Sequence, residues 1–401
     1  MMNSNVILIF LSIIVISSYL FNLLSRWTRI PSVLLLIACG VGLRYAFSIN
    51  EFDIKSINTL VELFGDAGLI VIILEASLDL KLEVKKRKLI RSSFLSALFI
   101  LIISLVATAL AVYYFLAVPF RTALVYALPL SVISSAIVIP SVEHLSESKK
   151  EFITYESSLS DILGVLLFNY LIFEELFSIS SYLNFFFSII IALIASILST
   201  FLLLYLVTKL GTQLKLFLLI AILFLFYAIG KIYHFPSLII ILVFGLTLSN
   251  LRLLIHPRTK WIIDLDTLSP IIQQFKSLTS EFSFLIRTFF FLLFGFTIDL
   301  SSLTNPDVLL LGSIILLVLL VVRYLYFRFI IKTEIFPEIF LMPRGLITIL
   351  LFYSIPVQYH IPYFDKGVLF FVIIGTSLLM SLGLILFKPK AVSMTDLDQN
   401  V

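Results

Sequence analysis

Apolar stretches long enough to cross a bilayer follow one another almost without interruption from residue 6 to residue 387. A helix needs about 20 mostly apolar residues to traverse the hydrocarbon core. The hydropathy pattern places such segments near 6–24, 31–48, 57–76, 92–117, 122–142, 153–172, 180–207, 212–230, 236–250, 282–298, 307–331, 338–358 and 367–387, about thirteen in all. Of the 401 residues 61% are hydrophobic and 13% charged, with mean hydropathy +1.15, about half the charged fraction of an ordinary soluble domain. The fold class is therefore an all-α polytopic membrane protein. The first segment begins almost at Met1, yet it reads as a retained span, because no small-residue cleavage site follows it and a second span comes at once.

Basic residues orient the spans, since cytoplasmic loops are enriched in Lys and Arg. Loops after odd-numbered spans hold 20 of the 28, including Lys81, Lys85, Lys86, Arg87, Lys88 and Arg91, whereas even-numbered loops hold five, Arg44, Lys55, Arg121, Lys231 and Lys366. That split predicts an N-terminus outside and a C-terminus in the cytoplasm, in a plasma (inner) membrane. A net charge of +4 spread over many short loops serves topology and excludes nucleic acid as a partner. The single cysteine, Cys39, forms no internal disulfide. His144, His234, His256 and His360 all fall near span ends or loops, so neither a histidine metal centre nor a buried relay is read. No nucleophile, base and orienting group occur together; the chain is not read as an enzyme and calls for no cofactor. The long connection from Asn250 to Ser280 mixes Trp261, Asp264, Asp266 and Lys276 with apolar residues at near-helical spacing and reads as an interfacial helix.

Two halves align at a displacement of about 205–220 residues. Pro31-Ser32 precedes Gly40 as Pro236-Ser237 precedes Gly245, and Ser77-Leu78-Asp79-Leu80 ends the third span as Thr297-Ile298-Asp299-Leu300 ends the tenth. Spans three and ten run in opposite directions under the charge count. The repeats are therefore inverted, six spans, a linker span and six spans, the layout of secondary transporters. Span five carries Ser134, Ser135 and Pro140, and its counterpart, span twelve, carries Pro343-Arg344-Gly345 and Pro356. Proline lacks an amide and clashes with the preceding turn, which predicts crossed, discontinuous helices exposing backbone groups to a midplane site.

Span six carries Glu156, Ser157, Ser160 and Asp161. At about 100° per residue Ser157 lies roughly 40° from Asp161, and Glu156 roughly 140° from it. Asp161 sits about two turns inside the span, where a charge costs at least ~2.5 kcal/mol unless hydrated or paired. Such a residue is a functional candidate by default. Arg323, deep in span eleven, needs an acidic partner for the same reason; Glu156 is the natural one, with Arg344 as the competing cation. Pairing of Glu156 with Arg323 leaves Asp161 as the one titratable group. Glu62, Asp66 and Glu75 on span three weigh less, and Arg287 reads as an anchor of span ten.

This pattern resembles the monovalent cation:proton antiporter superfamily, which includes the sodium/proton exchangers. Glu156-Ser157-Ser158-Leu159-Ser160-Asp161 is similar to the exchangers' Glu-Ser-Leu-Leu-Asn-Asp element, Ser134-Ser135-Ala136-Ile137-Val138 to a crossover element of the potassium-efflux branch, and Arg344-Gly345 to the Arg-Gly of the second crossover helix. The resemblance implies ion and proton binding at Asp161, with Ser157, Ser160, Ser134 and Ser135 as oxygen ligands for the transported Na⁺ or K⁺. It also implies a structural ion pair between Glu156 and Arg323, and crossover positions at Pro140, Arg344 and Gly345. Ser134-Ser135 stands where sodium/proton exchangers have Thr-Asp, which leaves potassium open. Ser160 stands where the electrogenic branch has a second Asp, which argues for electroneutral exchange. The family further implies a homodimer whose mobile core moves like an elevator. Its parts are scaffold or dimerisation helices over 1–56, core helices over 57–175, a linker span and scaffold over 176–280, core helices over 281–390 and a short tail over 391–401. A sodium-coupled symporter of a small organic anion predicts more uncharged ligands at the crossing. A non-transporting sensor or channel subunit predicts a soluble regulatory domain, for which a tail after Lys390 is too short.

Overall fold

The computed structural model describes residues 4–46, 54–143, 145–173, 187, 190–191, 193–194, 196–198, 200–201, 215–232, 237–254, 265–332, 336–362 and 364–387. These are almost entirely helical, and no strand occurs among them. The helices are α1 (Ser4–Thr28), α2 (Ser32–Ala46), α3 (Ile54–Asp79), α4 (Arg87–Leu116), α5 (Phe120–Ser131), α6 (Ser135–Ser141), α7 (Glu147–Phe173), α8 (Lys215–Ile232), α9 (Ser237–Ser249), α10 (Leu265–Thr297), α11 (Pro306–Leu325), α12 (Leu346–Tyr353) and α13 (Gly367–Leu386). They coincide with the apolar segments because, without water to bond the backbone, a chain at membrane depth must satisfy its own amides and carbonyls. Among the described residues, α4, Phe120–Ser141, most of α10, α11 with its continuation, and α13 are each long and apolar enough to cross a membrane.

Two sequence expectations meet a different outcome, and a third is not tested. The seventh segment, 180–207, lies mostly outside the described residues. The span placed at 338–358 becomes α-helical only from Leu346, after a single 3-10 turn at Glu338–Phe340. Residues 265–280 form no separate interfacial helix: they are the first turns of α10, which runs unbroken through Pro270 to Thr297 and takes in the boundary drawn at 280. Its apolar and polar residues alternate at helical period throughout, so nothing local ends it.

Packing exchanges partners between the two halves of the chain. α2 lies along α10, and α9 lies along α3. Gly40 and Gly245, noted above, and Gly295 lie at these crossings. A Cβ at Gly40 would collide with the Leu292 carbonyl, one at Gly295 with the Ile37 carbonyl, and one at Gly245 with Ser77. Only residues without a side chain let the backbones approach so closely. Asp79 pairs with Lys276 at 2.7 Å, and Asp299 faces Arg44 at 3.6 Å. The hydroxyl and amide of Ser301 donate to Asp299 and hold its carboxyl below the usual range. α4 packs on α5, α7 and α11, α11 on α13, and α12 on α5. α11 begins on an Asn305 cap with Pro306 in its first turn, then passes into a π-helical stretch, Tyr326–Ile331. Outward faces carry Leu, Ile and Phe, while Glu156, Asp161, Arg323 and Arg344 are buried. This inside-out distribution suits a lipid surround.

Candidate functional site at the crossing of two interrupted spans

α5 stops at Ser131, Val132–Ser134 are extended, and α6 resumes at Ser135. Far along the chain, Leu341–Gly345 run as an irregular stretch into α12. The two breaks touch: the Ser134 amide donates to the Pro343 carbonyl at 2.9 Å. Side chains satisfy further freed backbone groups, as burial demands. The Ile133 amide goes to Ser160 Oγ at 3.0 Å and the Ser135 amide to Asp161 Oδ2 at 3.1 Å. The carbonyls at the end of α5 are taken by Arg344, whose Nε donates to Leu130 at 2.7 Å and Nη2 to Ser131 at 3.2 Å, while Nη1 donates to Met342 at 2.6 Å. The Arg344 amide donates to Thr376 Oγ1 at 3.0 Å. A cation at the carboxyl end of a helix is also where the backbone dipole favours one. Gly345 passes so near the first break that a Cβ there would lie 2.7 Å from Ser134 Oγ.

The break in span five precedes Pro140, contrary to the sequence reading. Pro140 occupies the last turn of α6, where a proline removes only one helical bond. What opens the span is competition for its amides by Ser160, Asp161 and Pro343. In the second half a proline, Pro343, does lie in the break.

Asp161 is 3% exposed. Its Oδ2 receives both the amide and the hydroxyl of Ser135. Among the described residues its Oδ1 has no partner, and the buried hydroxyls of Ser134 and Ser158 have none either. Ser160 touches the break rather than Asp161. Ser157 donates to the Thr154 carbonyl of its own helix at 3.3 Å and does not contact the carboxylate.

Glu156 and Arg323 form a two-pronged pair, Nη2 to Oε2 at 2.8 Å and Nη1 to Oε1 at 3.2 Å, with each side chain 1% exposed. Ser96 donates to the same carboxylate, and Arg323 Nε donates to the Glu338 carbonyl at 2.6 Å. Arg344, the competing cation, is committed to carbonyls. Sequence reasoning passed over Ser96, Glu338, Ser158 and Thr376. Only Ser158 carried a signal, its place within the Glu156–Asp161 element. Glu75 accepts from Ser280 and Ser283 and lies 3.4 Å from Arg287. The side chains of Glu62 and Asp66, and His144, His234 and His256, lie outside the described residues.

A charge-bearing crossing of two broken spans thus stands on both fold and sequence. The model of the transmembrane sodium/hydrogen exchanger family matches residues 10–389. The chain belongs to the sodium/hydrogen exchanger family. As a member it is an integral membrane transporter and not an enzyme. The exchanger's fold resembles two structures of the sodium proton antiporter MjNhaP1 from Methanocaldococcus jannaschii. The one at pH 8 superposes with a TM-score of 0.70 at 18% identity, covering 96% of this chain and 99% of that one. The other, from an electron-microscopy map, gives a TM-score of 0.68 at 19% identity, with 97% and 100% covered. At such identity the likeness is one of fold. Among curated proteins none matches the exchanger.

Proposed function

We propose that this exchanger moves one sodium or potassium ion against one proton, electroneutrally and by alternating access, with the two competing for Asp161. The observation that carries the reading is a buried carboxylate at the crossing with one oxygen held by Ser135 and the other bare. One carboxylate holds a proton or a monovalent cation, not both strongly, so occupancy by either excludes the other and no separate gate is needed to couple the fluxes. Hard cations prefer oxygen ligands. Asp161 Oδ1 and the unpartnered hydroxyls of Ser134 and Ser158 supply oxygens of that kind, while Ser160 and Ser135 fix the break that presents them. The Glu156–Arg323 pair is internally neutral, so the core carries the same net charge whether it returns with cation or proton.

The wider layout follows the same reading: inverted repeats, a homodimer with scaffold and mobile core, and a plasma-membrane topology with the N-terminus outside. The exchanged packing of α2 on α10 and α9 on α3 supports the repeats, and the lysine-rich loops support the topology. Serines where other exchangers carry a crossover carboxylate keep potassium beside sodium as the transported ion.

Proton flux in proteoliposomes tests the proposal. With an outward proton gradient imposed, wild type dissipates it on addition of Na⁺ or K⁺, and Asp161→Asn, inserted and folded, does not. Cation-dependent proton flux in that variant would overturn the assignment.

A further inference from the structure

A cavity of about 640 Å³ lies where the amino-terminal ends of α4 and α7 meet the carboxyl-terminal end of α11. None of the crossing residues lines it. Its rim carries Lys85, Lys86, Lys88 and Lys149, and its floor is apolar, with Phe152 and Phe327 packed edge to face at 6.3 Å between ring centroids. The carboxylates facing it are accounted for. Lys86 pairs with Glu151 and lies 3.8 Å from Glu83, and Lys149 pairs with Glu338 at 2.9 Å. Lys85 and Lys88 make no ion pair with any described residue. The N-cap of the 30-residue α4 is Lys86, which makes no side-chain cap bond. A 3-10 turn, Val84–Lys86, leads straight into that helix, so the rim is formed by its lysine side chains. The ammonium groups gathered here are the charge complement of a phosphate.

The surroundings say which phosphate. Ile331 lines the cavity, and the neighbouring Phe329 and Ile330 on the same π-helical stretch are exposed, 65% and 58%. An opening flanked by lysines on one side and bare aromatic and aliphatic side chains on the other fits a molecule that is anionic at one end and apolar along the rest. The loops forming the rim follow odd-numbered spans, where the basic residues collect.

We propose that this cavity binds the phosphate head of an anionic phospholipid, with Lys85 and Lys88 on the phosphate and the start of an acyl chain over Phe152 and Phe327. The site adjoins the buried ion pair: the Phe327 ring lies 5.0 Å from the Arg323 guanidinium, and Glu338, on the cavity wall, takes Arg323 Nε through its carbonyl. A bound head group therefore braces the loop that holds Arg323.

Native mass spectrometry of the purified protein with phosphatidylglycerol or phosphatidylcholine tests this. Wild type retains phosphatidylglycerol in preference to phosphatidylcholine. Each lysine facing an anionic head is worth about fivefold in affinity, so Lys85→Gln with Lys88→Gln weakens phosphatidylglycerol retention roughly 30-fold. The double variant keeps its cation-driven proton flux in phosphatidylcholine vesicles, which shows that it folds. Equal retention of phosphatidylglycerol by wild type and double variant overturns the proposal. So does equal retention of the two lipids by wild type, and so does displacement of the lipid by inorganic phosphate, which would make this a site for free anions.

Discussion

Glu156 and Asp161 lie five residues apart on α7, both buried, and their neighbours give them opposite tasks. Glu156 is filled on both oxygens by Arg323 and Ser96, whereas Asp161 has donors on one oxygen only. Removing one member of a buried ion pair strands the other charge at a cost of about 3–5 kcal/mol. Glu156→Gln is therefore expected to lower the melting midpoint of the detergent-solubilised protein sharply, and Glu156→Leu with Arg323→Leu to recover most of it. Additive losses in the double variant would show that the two charges do not act as a pair. Both partners were legible in the sequence because an isolated charge inside an apolar run demands an opposite one. The role of Ser157 was not, since a helical serine can turn its hydroxyl to its own backbone, here the Thr154 carbonyl. Ser96 gave no sign at all: a lone serine in α4 looks like packing until the fold brings Glu156 beside it.

At the scale of elements, the two interrupted spans stay open because side chains replace the lost helical bonds. Arg344 alone serves carbonyls at Leu130, Ser131 and Met342. Each buried acceptor left bare costs about 1–3 kcal/mol, so Arg344→Gln is expected to yield little folded protein. Gly345→Ala is milder. Its Cβ presses on Ser134 Oγ and pushes the breaks apart, so the protein is expected to fold yet lose most of its cation-driven proton flux; full flux would show that the close approach is dispensable. That both spans are interrupted was readable from their prolines, and in the second half so was the place, but in the first half it was not. Pro140 marks the end of α6, and the actual break is made by Ser160, Asp161 and Pro343, partners that no local pattern announces. Likewise, hydropathy divided α10 at its charged residues, although helical period continues across them.

For the whole molecule, neutral exchange means that no net charge crosses the membrane in a cycle. A transporter moving one net charge would feel about 2.3 kcal/mol per 100 mV, a bias of roughly 50-fold. Exchange in vesicles clamped at zero and at 100 mV is therefore expected to proceed at nearly equal rates; a strong dependence on potential would sink electroneutrality while leaving antiport intact. That the chain is built of apolar helices was legible from apolar length alone, but how the halves embrace was not, because contacts such as Gly40 on Leu292 join residues far apart in the chain. The bonds from Arg344 reach back 214 and 213 residues, to Leu130 and Ser131. As the ribosome feeds the chain into the membrane, the first break thus has neither its guanidinium nor the Pro343 carbonyl until the second half arrives. The crossing is therefore assembled late, and an incompletely synthesised chain, although it already carries Asp161, does not yet have the bonds that hold the first break in shape.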